Sequence, residues 1–280
     1  MIHIATVHWR TRKWIEVQRF YLRKNMQSPY RVYAWLNDVG AVDRDQFYYT
    51  CTEPISSHAI KLNILADVIS ASGSKEDFVI FIDGDAFPIG DIESLISCRL
   101  SKHKLLAIKR LENNGDVQPH PSFCATTIGF WNAIGGDWKA GYRWVNSHDD
   151  PVTDIGGNLL GKLNERGIPW YPLLRSNKRN LHPLFFGIYE EVIYHHGAGF
   201  REAWARVDSD AKRNPLLENI SKASGLKGTA LRKVSSMIPF RFKYALRRRL
   251  YAKDLSQNNQ LSEQVFSRIK ADPNFFKEFQ

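Results

Sequence analysis

The chain is poor in cysteine and lacks long apolar runs and internal repeats, and each shortage excludes a class of protein. Its 280 residues include three cysteines, Cys51, Cys98 and Cys124, which lie far apart and form no CxxC pair. This spacing fits neither a disulfide framework nor a zinc site and favours a reducing compartment. The densest apolar run, at 78–82, is far shorter than the roughly 20 residues that cross a bilayer. The first residues have a strand pattern instead of a signal-peptide pattern, which argues against secretion.

Acidic residues are scarce in one region only. Residues 1–200 hold 22 basic and 21 acidic side chains, whereas residues 201–256 hold 14 basic and 5 acidic ones, a net charge of +9. The whole chain has a net charge of +10. A nearly neutral body followed by a strongly basic segment predicts an anionic partner for that segment.

Strand and helix patterns alternate along the first 90 residues and continue less regularly to about residue 205. The predicted strands are 2–7, 30–36, 78–82, 105–108, 125–131 and 170–173. Helices are predicted over 14–24 and over 155–166, the second of them capped by Asp154. A further helix between them is predicted to be capped by Ser56 or Ser57. This alternation predicts an α/β fold with a mainly parallel sheet, whose ligands bind at the carboxyl ends of the strands.

The most informative motif is Asp83-Gly84-Asp85, which directly follows the apolar strand 78–82. Two carboxylates two residues apart can reach one hard cation, and Gly84 allows a tight turn between them. A divalent metal held there keeps open positions for phosphate oxygens. The alternative is an ordinary turn rich in Asp and Gly.

This arrangement resembles the DxD motif of glycosyltransferases with the GT-A fold, in particular those that build bacterial surface glycans. The resemblance covers about residues 1–205. It implies a Rossmann-like catalytic domain over 1–205, with a nucleotide-binding half at 1–90 and an acceptor half at 91–205. It also implies Mn²⁺ or Mg²⁺ at Asp83 and Asp85, a nucleotide-sugar donor, and a glycan or glycolipid acceptor.

Two further elements lie where this family would place them. Thr153-Asp154 heads a predicted acceptor-side helix, and in inverting members an acid there is the general base. A simple helix cap is the alternative for Asp154, and Asp149 and Asp150 are rival bases. The second element is the histidine pair before the glycines at 197 and 199. Strand geometry directs the two side chains to opposite faces, so one of them should complete the metal site. We favour His195 over His196.

The same resemblance implies other contacts to the nucleotide sugar. The residues it assigns to donor binding are Thr6, Val7, His8, Asp38, His58, Lys61, Gly84 and Arg201. Trp131, Trp138 and Trp170 are candidates for stacking on a sugar ring, with core packing as the alternative. Residues 120–123 are candidates for the acceptor wall.

The basic segment is predicted to form two short amphipathic helices within 226–251, separated by Pro239. Such helices bind anionic membranes, so we expect 206–280 to be a basic helical appendage at the inner face of the cytoplasmic membrane. A helix packed on the catalytic body is an alternative. Nucleic acid is not expected as a partner, because no nucleic-acid-binding motif is present.

Two other functions remain open at this stage. A phosphatase of the haloacid dehalogenase type also uses a strand followed by Asp-x-Asp, but that family expects the motif near the start of the chain. A membrane or nucleic-acid adaptor with a non-catalytic α/β body is the other alternative.

Overall fold

A computed structural model describes residues 1–42, 44–147, 149–204, 239, 249 and 251–280. These residues divide into two compact units, one of Met1–Phe200 with Arg268–Gln280 and one of Arg201–Ser267. The predicted domain limits at 90 and 205 stay predictions. The predicted amphipathic helices of 226–251 lie almost wholly outside the described residues. No described helix is long and apolar enough to cross a membrane.

The strands and helices alternate over the first part of the chain, as predicted. The strands are β1 Ile2–Trp9, β2 Tyr30–Asn37, β3 Tyr49–Cys51, β4 Phe78–Asp83, β5 Ala86–Pro88, β6 Leu105–Ile108, β7 His120–Thr127, β8 Trp144–Val145, β9 Pro151–Val152, β10 Tyr171–Leu173, β11 Gly187–Tyr189 and β12 Ile193–His195. The helices are α1 Lys13–Asn25, α2 His58–Ser72, α3 Ile92–Leu100, α4 Ile128–Ile134, α5 Gly157–Glu165 and α6 Ala252–Ala271.

One seven-stranded sheet organises the first unit, with the strand order β10-β6-β7-β4-β1-β2-β3. Its strands are parallel except β7, which runs antiparallel to both β4 and β6. A second sheet has the order β11-β12-β5, with antiparallel pairs. The mixed, mainly parallel sheet flanked by helices confirms the predicted α/β class, and α6 confirms a helix near the C-terminus.

Alternate side chains of the central strands supply two separate cores. Ile80 and Ile82 of β4 belong to one core together with side chains of α1 and α3. Val79 and Phe81 point to the other face and pack with α2, α4 and α5. The apolar run of β4 is thus explained by burial on both faces, the pattern typical of central strands in parallel sheets.

Two predicted elements were wrong in detail. The strand predicted over 125–131 ends at Thr127, whose hydroxyl accepts a hydrogen bond from Phe130 N (3.1 Å) and caps α4. The helix predicted over 155–166 begins at Gly157 and is capped by Gly156, in a left-handed conformation (φ 86°). Asp154 is therefore not the cap of α5, although its Oδ1 accepts a hydrogen bond from Ile155 N (2.8 Å).

Candidate metal centre

The sheet brings Asp83, Asp85 and His195 together at the carboxyl end of β4. Asp83 ends β4, where it pairs in parallel register with Val7 of β1. Beyond the turn, Ala86 of β5 pairs with His195 of β12, and Asp85 O accepts a hydrogen bond from His196 N (3.0 Å). One ligand atom from each of the three side chains lies within 4.8 Å of the others. We call these three residues the Asp–Asp–His group.

Each aspartate of the group uses one oxygen in the protein and directs the other toward His195. Asp83 Oδ1 is 3.0 Å from His58 Nε2, while Asp83 Oδ2 is 3.6 Å from His195 Nε2. Asp85 Oδ2 accepts hydrogen bonds from Gly197 N (3.1 Å) and Gly199 N (2.9 Å), while Asp85 Oδ1 is 3.7 Å from His195 Nε2. The distances to His195 are too long for hydrogen bonds. Two carboxylate oxygens and one imidazole nitrogen thus converge without bonding one another.

The second glycine after the histidine pair, Gly199, is required by this geometry. Gly199 O accepts a hydrogen bond from Trp14 Nε1 (3.0 Å). A Cβ at Gly199 would lie 2.5 Å from both Asp85 Cβ and Trp14 Nε1. Gly199 therefore lets the backbone approach Asp85 closely enough to fix one of its oxygens.

The protonation states suit a cation. Burial acts to raise the pKa of Asp83, but the hydrogen bond and charge of His58 and the charges of His195 and His120 lower it below its ordinary value. Burial raises the pKa of Asp85; the charge of His195 opposes the rise and that of Asp83 adds to it. Burial also lowers the pKa of His195, which favours the neutral ring that can bind a metal.

The residues present fit a divalent metal. Carboxylate oxygens are suitable ligands for Mg²⁺ and Mn²⁺, and a neutral imidazole is a suitable ligand for transition metals. Mn²⁺ therefore accepts both kinds of ligand present here. Without a cation, two carboxylates held close together repel each other, and the charge of Asp83 adds to the burial that raises the pKa of Asp85. His58, bonded to Asp83, would orient that ligand from outside the group.

His196 does not belong to the group. Its Nδ1 is 2.9 Å from the hydroxyl of Tyr194, and its ring packs against Trp14 (4.6 Å between ring centroids) and Phe186 (4.9 Å). Burial lowers its pKa well below the ordinary value, so this ring is a neutral core residue.

Thr6, near the end of β1, is connected to the Asp-Gly-Asp turn through Gln18 of α1. Thr6 is buried, and its hydroxyl donates to Gln18 Oε1 (3.1 Å), while Gln18 Nε2 donates to Asp83 O (2.8 Å) and Ala86 O (2.9 Å). Gln18, which the sequence analysis missed, thereby holds both sides of the Asp-Gly-Asp turn. The sequence offered no local signal for it, because it depends on the distance between α1 and β4 in the fold.

Val7, His8 and Gly84 are packed together. Val7 and His8 are buried, and burial lowers the pKa of His8 to about 4. A Cβ at Gly84 would lie 2.6 Å from both His8 Nδ1 and Val7 O. The motif therefore needs glycine at this position for space, whereas the backbone of Gly84 is not in the left-handed region.

The other predicted donor-binding residues occupy different places. His58 contacts Asp83, as described above. Lys61 is buried on α2, burial lowers its pKa, and the charge of Asp38 opposes this. Asp38 follows β2 with a left-handed backbone (φ 54°). It lines a cavity of about 280 Å³ together with residues 36, 39–42, 44 and 52. Arg201 is exposed and belongs to the second unit.

The acceptor-side predictions have mixed outcomes. Asp154 is exposed and acts electrostatically on Asp116, whose pKa burial raises to about 6. Of its rivals, Asp149 has a left-handed backbone (φ 60°) and Asp150 is exposed. His120 starts β7, with its ring centroid 6.2 Å from that of His195. His120 thus borders the Asp–Asp–His group, whereas Phe123 of the same predicted segment is buried in the core.

Of the two interpretations of the tryptophans, core packing applies to Trp131 and Trp138. Trp131 and Trp138 are buried in the core and pack on Phe81, with ring centroids 4.6 and 5.0 Å away. Trp170 is half-buried against the same core. Trp131 lies on α4, and it packs in this core together with Ile128 and Ile134 of the same helix.

Comparisons with known proteins identify no family. No family model matches the chain, and no curated protein sequence matches it. Among solved structures, the glycosyltransferase GlyE of Streptococcus pneumoniae TIGR4 aligns over 61% of this chain and 44% of its own, with 13% identity and a TM-score of 0.39. S. aureus TarS 1-349 aligns over 49% and 50%, with 13% identity and a TM-score of 0.36.

The galactosyltransferase LgtC, solved with donor and acceptor sugar analogues, aligns over 47% of this chain and 59% of its own, with 12% identity and a TM-score of 0.34. The chain therefore spans about half the length of each of these three solved structures. Likeness at this level does not by itself assign an activity.

Proposed function

We propose that this chain is a metal-dependent glycosyltransferase, which moves a sugar from a nucleotide-sugar donor to a glycan or lipid-linked acceptor. The observation that carries the proposal is the Asp–Asp–His group at the carboxyl end of a central parallel strand. Ligands of open α/β sheets bind at this edge. Asp83, Asp85 and His195 would hold Mn²⁺ or Mg²⁺, which neutralises the negative charge of a diphosphate leaving group.

The protein residues have distinct parts in this proposal. His58, Gly197 and Gly199 fix one oxygen of each aspartate, so that the other oxygen is held in place before any ligand arrives. Lys61 and Asp38 are proposed to lie on the nucleotide side. His120 borders the acceptor side. If the enzyme inverts the anomeric configuration, Asp154 accepts the proton of the acceptor hydroxyl as that oxygen attacks.

The first test is a calorimetric screen of UDP-, GDP-, CMP- and dTDP-sugars with Mn²⁺, followed by donor hydrolysis with the best ligand. We expect hydrolysis to need Mn²⁺ or Mg²⁺ and to fall about a hundredfold or more in Asp85→Asn. Asp67→Asn is the matched control, because Asp67 is exposed on α2. Full activity in the presence of a chelator would overturn the proposal, and so would equal losses in both variants.

Attachment to an anionic membrane is proposed from the charge pattern of 226–251 alone. Co-sedimentation with phosphatidylglycerol vesicles tests it, and phosphatidylcholine vesicles provide the control. The proposal requires binding that weakens as salt is raised, since screening reduces electrostatic attraction. Equal binding to both kinds of vesicle would contradict it.

A further inference from the structure

Arg110 lies at the same edge of the sheet as the Asp–Asp–His group. It comes two residues after the end of β6, and Lys109 N donates to Leu173 O of the neighbouring β10 (3.0 Å). β4 and β6 both pair with β7 and run in the same direction, so Asp83 and Arg110 leave the sheet at one edge. His120 lies between them at the start of β7, in register with Ile108. Neighbouring strands are only about 4.8 Å apart, so a long side chain can reach across one strand.

The guanidinium of Arg110 lacks hydrogen-bond acceptors among the described residues. Arg110 is 8% exposed, and its buried Nε has no hydrogen-bond partner. Its nearest carboxylate oxygen is Glu112 Oε1, 3.7 Å from Nε, and that same oxygen accepts a hydrogen bond from the Tyr189 hydroxyl. An arginine has five N–H donors, and buried polar groups of native proteins are nearly always bonded. Arg110 Nε is one of several buried polar atoms without a partner among the described residues, and it lies beside the Asp–Asp–His group, where a ligand can satisfy it.

Arg175 shows how the same fold treats a structural arginine. Its guanidinium donates to the carbonyl oxygens of His182, Pro183 and Phe185 and to Asn177 Oδ1. All of these acceptors lie between residues 177 and 185, so the hydrogen bonds of Arg175 stabilise a single stretch of chain. Among the described residues Arg110 has no comparable set of hydrogen bonds, so stabilising a loop does not account for its burial.

The charge of Arg110 reaches the Asp–Asp–His group. Burial lowers the pKa of His120, and the charge of Arg110 lowers it further. Burial acts to lower the pKa of Arg110 as well, but the charges of the carboxylates Glu112, Asp116 and Asp83 raise it. Arg110 therefore remains a cation beside a site that we propose to hold a metal ion.

We infer that Arg110 binds an anionic oxygen group, a phosphate or a carboxylate, on the substrate held at the Asp–Asp–His group. This inference rests on the proposed function, which it deepens by giving the substrate an anion at this place. A guanidinium fork matches the two oxygens of such a group and forms charge-assisted hydrogen bonds with them. The anion has two possible sources: the diphosphate of the donor, or an acidic group on the acceptor or on the transferred sugar.

The test measures anion binding in Arg110→Gln and Arg110→Lys, with the exposed Arg23→Gln as control. Calorimetry in the presence of Mn²⁺ uses two probes. The first is the nucleoside diphosphate of the best ligand in the donor screen, and the second is inorganic phosphate, titrated into protein already saturated with that nucleoside diphosphate. A donor source predicts that Arg110→Gln weakens nucleoside diphosphate binding about tenfold or more. An acceptor or sugar source predicts unchanged nucleotide binding and loss of phosphate binding. Arg110→Lys, which keeps the charge without the fork, should fall between.

A second variant guards against misfolding of Arg110→Gln. Glu112→Gln keeps the arginine and removes the carboxylate that competes for it, so anion binding should tighten by a few-fold. If Arg110 only balances Glu112, neither probe changes more than twofold in folded variants at either position, and the inference is overturned. Failure of the proposed function is seen separately, as donor hydrolysis that is unaffected by Asp85→Asn. Loss of anion binding in Arg110→Gln would stand even then.

Discussion

The Asp–Asp–His group and the loop of residues 109–118 border the same edge of the sheet, but they differ in how far the protein's own hydrogen bonds hold their charged side chains. In the group, each carboxylate has one oxygen fixed by the protein and one directed at His195. In the loop, Arg110 is buried without hydrogen bonds from its guanidinium to described residues. The group is already arranged before a ligand binds, whereas the loop offers donors that only a ligand can satisfy. Sites that combine the two can be rigid around a metal and selective for a substrate.

The most severe test of the arrangement is Gly199→Ala. The added Cβ would lie 2.5 Å from Asp85 Cβ and from Trp14 Nε1, so Asp85 must move and lose a backbone hydrogen bond. We expect Mn²⁺ binding to fall below detection in calorimetry and the free energy of unfolding to drop by about 1 to 3 kcal/mol. Gly90→Ala is the matched control, because its Cβ would meet neighbours only at 3.7 Å. Unchanged Mn²⁺ binding in Gly199→Ala would show that metal binding does not depend on the hydrogen bonds that hold Asp85 Oδ2.

The next largest effect separates the two adjacent histidines. His195→Gln removes a ligand atom from the group and should weaken Mn²⁺ binding by about tenfold to a hundredfold, with little change in stability. His196→Gln should do the reverse, because that ring packs against Trp14 and Phe186 and lies outside the group. Calorimetry with Mn²⁺ and urea unfolding of both variants measure the two effects. A larger loss of Mn²⁺ binding in His196→Gln would place the metal elsewhere.

A smaller effect is expected at His58, which contacts Asp83 but offers no ligand to the group. His58→Ala removes the 3.0 Å hydrogen bond that fixes Asp83 Oδ1, and Mn²⁺ affinity should fall about tenfold. His58→Gln can keep a donor near the position of Nε2 and should retain most of the affinity. If both variants bind Mn²⁺ like the wild type, the hydrogen bond does not organise the metal site.

The same contrast explains which parts of the site could be predicted from the sequence. Asp83-Gly84-Asp85 was visible because it is local: an apolar strand buried on both faces ends in two acids around a glycine. The alternation of strand side chains indicated that one histidine of the pair faces the acids, and the preference for His195 came from its spacing to the glycines at 197 and 199. The ring of His195 lies beside the acids. Local patterns failed at Thr127, where a cap begins a helix inside a run that resembles a strand.

Gln18, Arg110 and Asp116 could not be predicted for a different reason. Gln18 and Arg110 depend on how segments distant in sequence pair, as the hydrogen bonds from Gln18 in α1 to Asp83 O and Ala86 O show. The raised pKa of Asp116 depends on its burial in the fold, which its local sequence does not reveal. The start of β7 also could not be anticipated. Its register with β6 shifts at Ala107/Ile108, close to Pro121, which has no N–H to donate. That irregularity places His120 opposite Ile108 and beside the site.

Asp116 provides the mildest test, because it belongs to the loop and not to the Asp–Asp–His group. Burial raises its pKa to about 6, the hydrogen bond from Asn113 opposes this, and the charge of Asp154 adds to it. A raised folded-state pKa means that the stability contributed by the protonated carboxyl is complete below about pH 4 and is lost as the pH rises through about 6.

Asp116→Asn should remove this pH dependence. At pH 8 the variant should be more stable than the wild type by about 1 to 3 kcal/mol, and near pH 4 the two should be alike. Urea unfolding at both pH values measures the difference, and calorimetry should find Mn²⁺ affinity unchanged. A difference that is the same at both pH values would mean that Asp116 is ionised in the folded protein throughout. In that case Arg110 would have a nearby anion that is charged across this range, and the contrast between the loop and the group would weaken.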